Sequence, residues 1–93
     1  MDDAQRPQVI RRVGSLFRAI AALEASGSST SALARETGLA RPTVHRLLVS
    51  LAEEGLVDRD QKSGKWSLGP ELYLLGSLAA SRYDITEDRK SVV

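Results

Sequence analysis

The chain has 93 residues and a formal net charge of +1, which suits one small domain and by itself argues only weakly for a nucleic-acid partner. It has no cysteine and one histidine, so disulfides, cysteine-ligated zinc and histidine clusters are excluded and no cofactor is predicted. No apolar run approaches the roughly 20 residues of a membrane helix or the ~7 to 15 of a signal-peptide core, so we expect a cytoplasmic protein without a membrane partner.

The N-terminal part is predicted to be a short arm followed by an amphipathic helix. Residues 1–8 are polar and contain a proline, which predicts a mobile arm. From Val9, apolar residues recur at helical spacing over about four turns, up to a stop before Gly27. The apolar face comprises Ile10, Val13, Leu16, Phe17, Ile20 and Leu23. Arginines at 11, 12 and 18 could contact phosphate, although a solvated face on a core helix is the favoured explanation.

A second, shorter helix is predicted to follow a turn. The segment GSSTS at 27–31 predicts a turn and then a helix cap, at which Thr30 or Ser31 can accept from the free amides. Residues 32–37 form a helix too short to be stable alone, so packing on its neighbours must stabilise it. Gly38 can take the left-handed conformation that ends this helix and turns the chain.

The next helix is predicted to run from about Arg41 to Glu54, with Pro42 in the first turn, where a missing N–H costs little. A buried stripe at helical spacing comprises Val44, Leu47, Leu48 and Leu51. The side chains left exposed near the N-terminal end are Arg41, Pro42, Thr43, His45 and Arg46. Carboxylates at 53 and 54 make the other end acidic. This polarity is typical of a recognition helix that inserts its N-terminal turns into the major groove.

Positive charge is concentrated in the N-terminal half of the chain. Between residues 6 and 46, seven arginines stand against two glutamates, whereas residues 53–93 carry six basic and eight acidic side chains. This distribution predicts a positive potential on the half that contains the two short helices. Without the helical pattern, scattered and solvated arginines would explain the charge equally well.

A β-hairpin is predicted after the recognition helix, at 57–68. The turn sequence DQKSG at 60–64 separates two short strands, and a hairpin in this position is a wing. Lys62 and Lys65 are placed to reach backbone phosphate or the minor groove, although Asp58 and Asp60 dilute their charge. Trp66 could stack on a nucleotide, but its alternation with Leu68 favours a role in anchoring the hairpin on the core.

Gly69 and Pro70 predict the start of a last helix that runs from Glu71 to about Tyr83. Apolar side chains cover most of its circumference: Leu72, Tyr73, Leu74, Leu75, Leu78, Ala79 and Ala80. One small domain can bury a helix on one side only, so the surplus apolar surface predicts a second subunit or a further domain as partner. Isolated exposed leucines are the less favoured explanation.

Residues 31–76 resemble the N-terminal winged-helix domain of IclR-type bacterial transcriptional regulators, and the helix from Val9 fits the first helix of that domain. The most specific parts of the resemblance are TVHRLL at 43–48, EEGLV at 53–57 and WSLGPEL at 66–72. Less specific are four residues that occur in many helix-turn-helix proteins, Ala34, Gly38, Val44 and Leu47.

The resemblance implies a homodimer that binds a palindromic DNA operator, with the helix from Arg41 reading bases and the wing contacting the backbone. It also implies a C-terminal domain, absent from these 93 residues, that binds a small-molecule effector. Two positions depart from the family pattern. Ala40 stands where a proline is usual, and Pro42 stands where a small hydroxyl residue is usual, which removes one possible phosphate contact.

We therefore predict a mainly α fold with a small β-hairpin, in which a three-helix core and a wing form a winged helix-turn-helix, followed by a C-terminal linker helix. The predicted divisions are an arm at 1–8, the DNA-binding domain at 9–69, a linker and dimerisation helix at 70–83, and the start of an effector domain at 84–93.

The predicted function is sequence-specific binding of double-stranded DNA by a transcriptional regulator, either a repressor or an activator. Candidate DNA-binding residues are Arg41, Pro42, Thr43, His45, Arg46, Ser31, Lys62 and Lys65. No catalytic or metal site is predicted, since nothing resembles an activated nucleophile or a phosphate-binding loop. The alternative is a protein-interaction module that uses the leucine-rich last helix. The cationic start of the recognition helix argues against this alternative, because an interaction module does not need it.

Overall fold

The computed structural model describes residues 8–83, which form four helices and one antiparallel hairpin. The elements in chain order are α1 (Gln8–Ala22), α2 (Thr30–Thr37), α3 (Arg41–Glu53), β1 (Val57–Arg59), β2 (Trp66–Leu68) and α4 (Pro70–Tyr83). This is the mainly α fold with a hairpin that the sequence predicts. The predicted arm, apart from Gln8, and the predicted start of a further domain at 84–93 lie outside the described residues.

The core lies between the first three helices and the hairpin. Its buried apolar residues are Leu16, Ala19, Ile20, Leu33, Val44, Leu48, Leu51, Val57 and Trp66. The predicted stripe of α3 is therefore confirmed, with Leu47 half-buried at its edge. The prediction for Ile10 is wrong, because this side chain is 65% exposed on the first turn of α1 and burial on that helix begins further along, at Val13.

Ser29 caps α2, so the prediction of a cap at Thr30 or Ser31 is wrong. The Ala32 N–H donates to Ser29 Oγ at 3.0 Å, and the Ser29 backbone is extended, as an N-cap requires. The helix starts at Thr30, two residues earlier than the sequence suggests, because Ser28 already pairs with β2 through a hydrogen bond from Trp66 N–H to the Ser28 carbonyl at 2.9 Å.

The turn between α2 and α3 is fixed from both sides of Gly38. Gly38 has a φ of +76°, and its N–H donates to the Ala34 carbonyl at 2.9 Å, which confirms the predicted left-handed termination. The Thr37 hydroxyl donates to the Leu33 carbonyl at 2.8 Å and accepts the Leu39 N–H at 3.3 Å. These bonds hold the chain where it changes direction, and so they set the start of α3.

The hairpin joins α4 to the body of the domain through close backbone contact. Its register pairs Val57 with Leu68 and Arg59 with Trp66. Gly69 follows β2, and its N–H donates to the Leu56 carbonyl at 2.9 Å. A Cβ at Gly69 would overlap the backbone of Gly55, so only glycine permits this approach.

Helix α4 has no buried residue among those that the structure describes, and most of its large apolar side chains are exposed, although Leu72 is half-buried. Tyr73 is 74% exposed and Leu78 71% exposed, while Leu74 and Leu75 are also largely exposed. Within residues 8–83, no helix is long and apolar enough to cross a membrane. Within residues 8–83, this apolar surface of α4 is left uncovered, and a partner for it stays a prediction.

Two glycine substitutions should have opposite effects on stability. A Cβ at Gly38 would meet no atom within 4 Å, so Gly38→Ala should cost about 1 to 2 kcal/mol from the left-handed backbone alone. Gly76 in α4 is equally open and its φ is not in the left-handed range, so Gly76→Ala should add roughly 0.5 to 1 kcal/mol. Chemical denaturation of both variants measures this, and a Gly38→Ala protein as stable as the parent would contradict it.

Candidate nucleic-acid interface

The first two turns of α3 present a polar, cationic surface. Arg41, Pro42, His45 and Arg46 are exposed and Thr43 is half-buried, so the structure brings these five candidate residues to one end of the helix. The N-cap Ala40 makes no side-chain hydrogen bond to this end. The positive end of the helix dipole therefore adds to the arginine charges, a combination that attracts phosphate and electronegative base edges.

The far end of α3 carries the opposite charge. Glu53 is its last residue and Glu54 its C-cap, and both side chains are exposed. Carboxylates at this position would be repelled by DNA phosphates. The exposed surface of α3 is therefore polarised, cationic at its start and acidic at its end, as the sequence predicts.

An open concavity of about 290 Å³ lies beside this end of α3 and is lined by Thr30, Arg41, Pro42 and His45. It brings the first residue of α2 next to the exposed face of the recognition helix. Ser31, the remaining candidate on α2, is exposed in the first turn of that helix. The starts of the two helices thus form a continuous surface.

Asp60 organises the tip of the hairpin. Its Oδ2 accepts from the Ser63 hydroxyl at 2.7 Å and from the Ser63 N–H at 3.2 Å. These bonds, with one from the Lys62 backbone, lower the pKa of Asp60. From the sequence Asp60 is predicted as the first residue of the turn and as a diluting charge; its capping role is also recognisable there, because an aspartate three residues before a serine in a turn is a known capping pattern. The effect is to hold Lys62 exposed at the tip.

The two wing lysines have different surroundings. Lys62 is exposed at the tip, whereas the Lys65 side chain lies over Gly27, so close that a Cβ there would be 2.5 Å from Lys65 Cδ. Gly27 has a φ of +95°, which also favours glycine. The Lys65 side chain therefore packs against the turn between α1 and α2 but remains exposed, and its contact with phosphate stays a prediction.

Trp66 anchors the hairpin, as predicted, and does not offer its ring to a nucleotide. It is 5% exposed, and its Nε1–H donates to Thr30 Oγ1 at 3.1 Å. The guanidinium of Arg59 lies 5.0 Å from the ring centroid, within cation–π range. Arg59 Nε also donates to the Gly64 carbonyl at 3.0 Å, so a residue that the sequence analysis did not single out ties the turn to the ring.

The α1 arginines fall into two groups. Arg11 and Arg12 line a concavity of about 300 Å³ beside the α2–α3 turn, to which the other described contributors are uncharged: Gln8, Ser15, Thr37 and Leu39. Arg18 lines a different concavity together with Glu36. The surface beside the turn is therefore positive, whereas the charge of Arg18 has a carboxylate nearby.

A helix-turn-helix on a three-helix core, followed directly by a hairpin, defines a winged helix-turn-helix domain. A sequence model of the IclR helix-turn-helix domain matches residues 9–61, so the chain belongs to the IclR family.

Relatives and solved structures agree with this assignment. The glycerol operon regulatory protein of Streptomyces coelicolor is 36% identical over 74 residues, which cover 80% of this chain and 29% of that protein. The transcriptional repressor IclR of Escherichia coli is 34% identical over 71 residues, covering 71% of this chain and 26% of the repressor. An IclR transcriptional regulator from Alicyclobacillus acidocaldarius superposes with a TM-score of 0.76 at 26% identity, over 86% of this chain and 32% of that one.

The chain spans less than a third of the length of these two curated relatives. Their names describe regulators of transcription, and the matched part is the helix-turn-helix DNA-binding domain. This match supports sequence-specific DNA binding and does not favour the alternative of a protein-interaction module. The relatives are regulators rather than enzymes. Among residues 8–83, no group of three or more metal-ligating side chains converges.

The turn of the hairpin should respond to acid through Asp60. Because hydrogen bonds to its carboxylate lower the pKa of Asp60, their contribution is present above the unfolded pKa and is lost as pH falls through the lower, folded pKa. The Ser63 amide resonance should therefore titrate with a midpoint below the ordinary aspartate value of about 3.9. Asp60→Asn is the control and should remove this titration, whereas a midpoint at or above the ordinary value would contradict the capping role.

Proposed function

We propose that this chain is the DNA-binding domain of a bacterial transcriptional regulator, which inserts the first two turns of α3 into the major groove and rests its wing on the backbone. The observation that carries the proposal is the polarised α3, with exposed arginines at its open N-terminal end and exposed glutamates at the other. The match to the IclR helix-turn-helix domain supports double-stranded DNA as the ligand.

Within this docking, Arg46 is the first candidate for reading a base. It lies more than one turn inside α3, where an exposed guanidinium can reach the groove floor and pair with guanine O6 and N7. Arg41, at the first position of the helix, is nearer to the groove edge and suits a phosphate or a flanking base. Thr43 and His45 offer hydrogen bonds to either. Pro42 has no N–H, so its contribution is limited to apolar contact, for example with a thymine methyl group.

Three further groups suit phosphate rather than bases. Lys62 projects from the capped tip of the wing, and Lys65 lies at the base of the hairpin, over Gly27. Arg11 and Arg12 border the α2–α3 turn, which immediately precedes the inserted end of α3. Ser31 can add a hydroxyl from the start of α2. Such contacts position the protein on the duplex without carrying sequence information.

The whole regulator is proposed to be a homodimer on a palindromic operator. The apolar face of α4, with Tyr73, Leu74, Leu75 and Leu78 exposed, supports a contact between two copies. Two-fold symmetry would place the recognition helices about 34 Å apart, one turn of DNA. Because the chain spans 29% of the Streptomyces coelicolor relative, we place effector binding in a C-terminal domain beyond α4.

Arg46→Ala should weaken binding to the selected operator by roughly 1 to 3 kcal/mol and should affect random DNA much less. The operator is first obtained by selecting bound sequences from a random pool, and dissociation constants are then measured by fluorescence anisotropy. Arg18→Ala is the matched control, since it removes the same charge from α1, at a concavity that Glu36 of α2 also lines. Unchanged operator affinity in the Arg46 variant would show that α3 does not read bases through this residue.

Lys62→Ala and Arg12→Ala should each weaken operator and random DNA about equally and lower the salt dependence of binding. The loss of one phosphate contact reduces the slope of log K against log salt by about 0.9. Measurement at several salt concentrations with the same duplexes gives this slope, and Lys62→Arg should retain it. An effect confined to the operator would contradict a phosphate contact.

The chain should dimerise through α4. Sedimentation velocity over a range of concentrations should show a monomer–dimer equilibrium, and Leu78→Glu should shift it to monomer because a carboxylate would replace an apolar contact. Val49→Glu on α3 is the control, because Val49 is also an exposed apolar residue but lies outside α4. If the parent chain remains monomeric at every concentration, α4 alone is not sufficient to form the dimer.

A further inference from the structure

Three consecutive residues at the entry to α2 each make a different contact. Ser28 pairs through its carbonyl with the Trp66 N–H at 2.9 Å, Ser29 caps α2 through its hydroxyl, and Thr30 accepts the Trp66 indole N–H at 3.1 Å. Trp66 therefore donates a backbone and a side-chain hydrogen bond to the segment that begins α2. The cap requirement of α2 is met without the hydroxyl of Thr30.

The wing needs such an attachment because it is short. Each of its strands has three residues, and a two-stranded hairpin without further support is at best marginally stable in water. Beyond the pairing of β1 with β2, Ser28 adds one bridge on the other edge of β2, at Trp66. The contacts of Trp66, a residue that is 5% exposed, therefore help to set the orientation of the wing.

Thr30 also belongs to the surface that faces DNA in the proposed docking. It lines the concavity beside α3 together with Arg41, Pro42 and His45, and only 6% of its surface is exposed. Thr30 thus bonds the anchor of the wing through its hydroxyl and also borders the concavity beside the start of α3. Thr30 and Trp66, which share this hydrogen bond, are 36 positions apart in sequence. The bond therefore links the start of α2 to the wing.

We propose that Thr30 is a positioning residue for DNA binding, which holds the wing at a fixed place relative to the N-terminal end of α3. Lys62 and the recognition helix then meet one duplex together, and the wing loses little conformational freedom when it binds. Without the Thr30 hydroxyl, Lys62 keeps its charge, but DNA binding must then also order the wing, and the lost conformational freedom weakens the binding. This inference rests on the proposed function and adds to it the residue that couples its two contacts.

A double-mutant cycle between Thr30 and Lys62 tests the coupling. Thr30→Val keeps the shape and removes the acceptor, whereas Thr30→Ser keeps the acceptor. Affinity for a random-sequence duplex is measured over a salt series for each variant with and without Lys62→Ala. One phosphate contact corresponds to about eightfold in affinity near 0.1 M salt. Lys62→Ala should cost about this factor in the parent and in Thr30→Ser, but less than about twofold in Thr30→Val.

The outcomes of this cycle distinguish coupling between Thr30 and Lys62 from a purely structural role of Thr30. An equal cost of Lys62→Ala in all three backgrounds would overturn the coupling, and a purely structural hydroxyl would give this result together with a lower denaturation midpoint for Thr30→Val. If Thr30→Val does not fold, Trp66→Phe removes the donor instead and should show the same loss of the Lys62 effect. If the parent binds no duplex at low salt, the proposed function itself is wrong, an outcome distinct from an additive cycle.

Discussion

The left-handed turn at Gly38 is the constraint on which the functional surface depends. It ends α2 after eight residues and allows α3 to begin three residues later at a different angle. The Thr37 hydroxyl fixes the turn from within by bonding to backbone groups of Leu33 and Leu39. Because Leu33, Val44 and Leu48 are then buried together, α3 is held by one face and its polar face stays free at the N-terminal end.

A second constraint lies where three chain segments meet at Gly55 and Gly69. The Glu71 N–H donates to the Gly55 carbonyl at 3.0 Å, and the Gly69 N–H donates to the Leu56 carbonyl at 2.9 Å. The end of α3, the wing and the start of α4 are therefore joined through backbone rather than through an apolar interface. This explains how α4 can be attached while none of its described residues is buried.

Much of the fold could be predicted from local patterns. The helical spacing of apolar residues predicts α1 and α3, Gly38 predicts the end of α2, and the turn sequence at 60–64 predicts the hairpin. These features depend on residues close in sequence, so one sequence is enough to recognise them.

What could not be predicted depends on contacts between distant residues. Four hydroxyl residues stand in a row at 28–31, and local chemistry does not say which one caps α2. The choice follows from the pairing of Ser28 with Trp66, which sets where the chain enters the helix. The same applies to Lys65, whose direction is determined by Gly27 across the fold. By contrast, helical spacing alone predicts the buried stripe of α3, and it therefore also predicts that Arg41, His45 and Arg46 stay exposed near the N-terminal end.

The separation of the two faces of α3 has a consequence for how such a domain can change its target. The residues that hold the helix, Val44, Leu48 and Leu51, are buried, whereas Arg41, His45 and Arg46 make no contribution to that burial. Substitutions on the exposed face therefore cost little folding free energy, since surface changes are usually worth within about 0.5 kcal/mol. The domain can thus diverge towards a new operator through single substitutions, each of which leaves a folded protein.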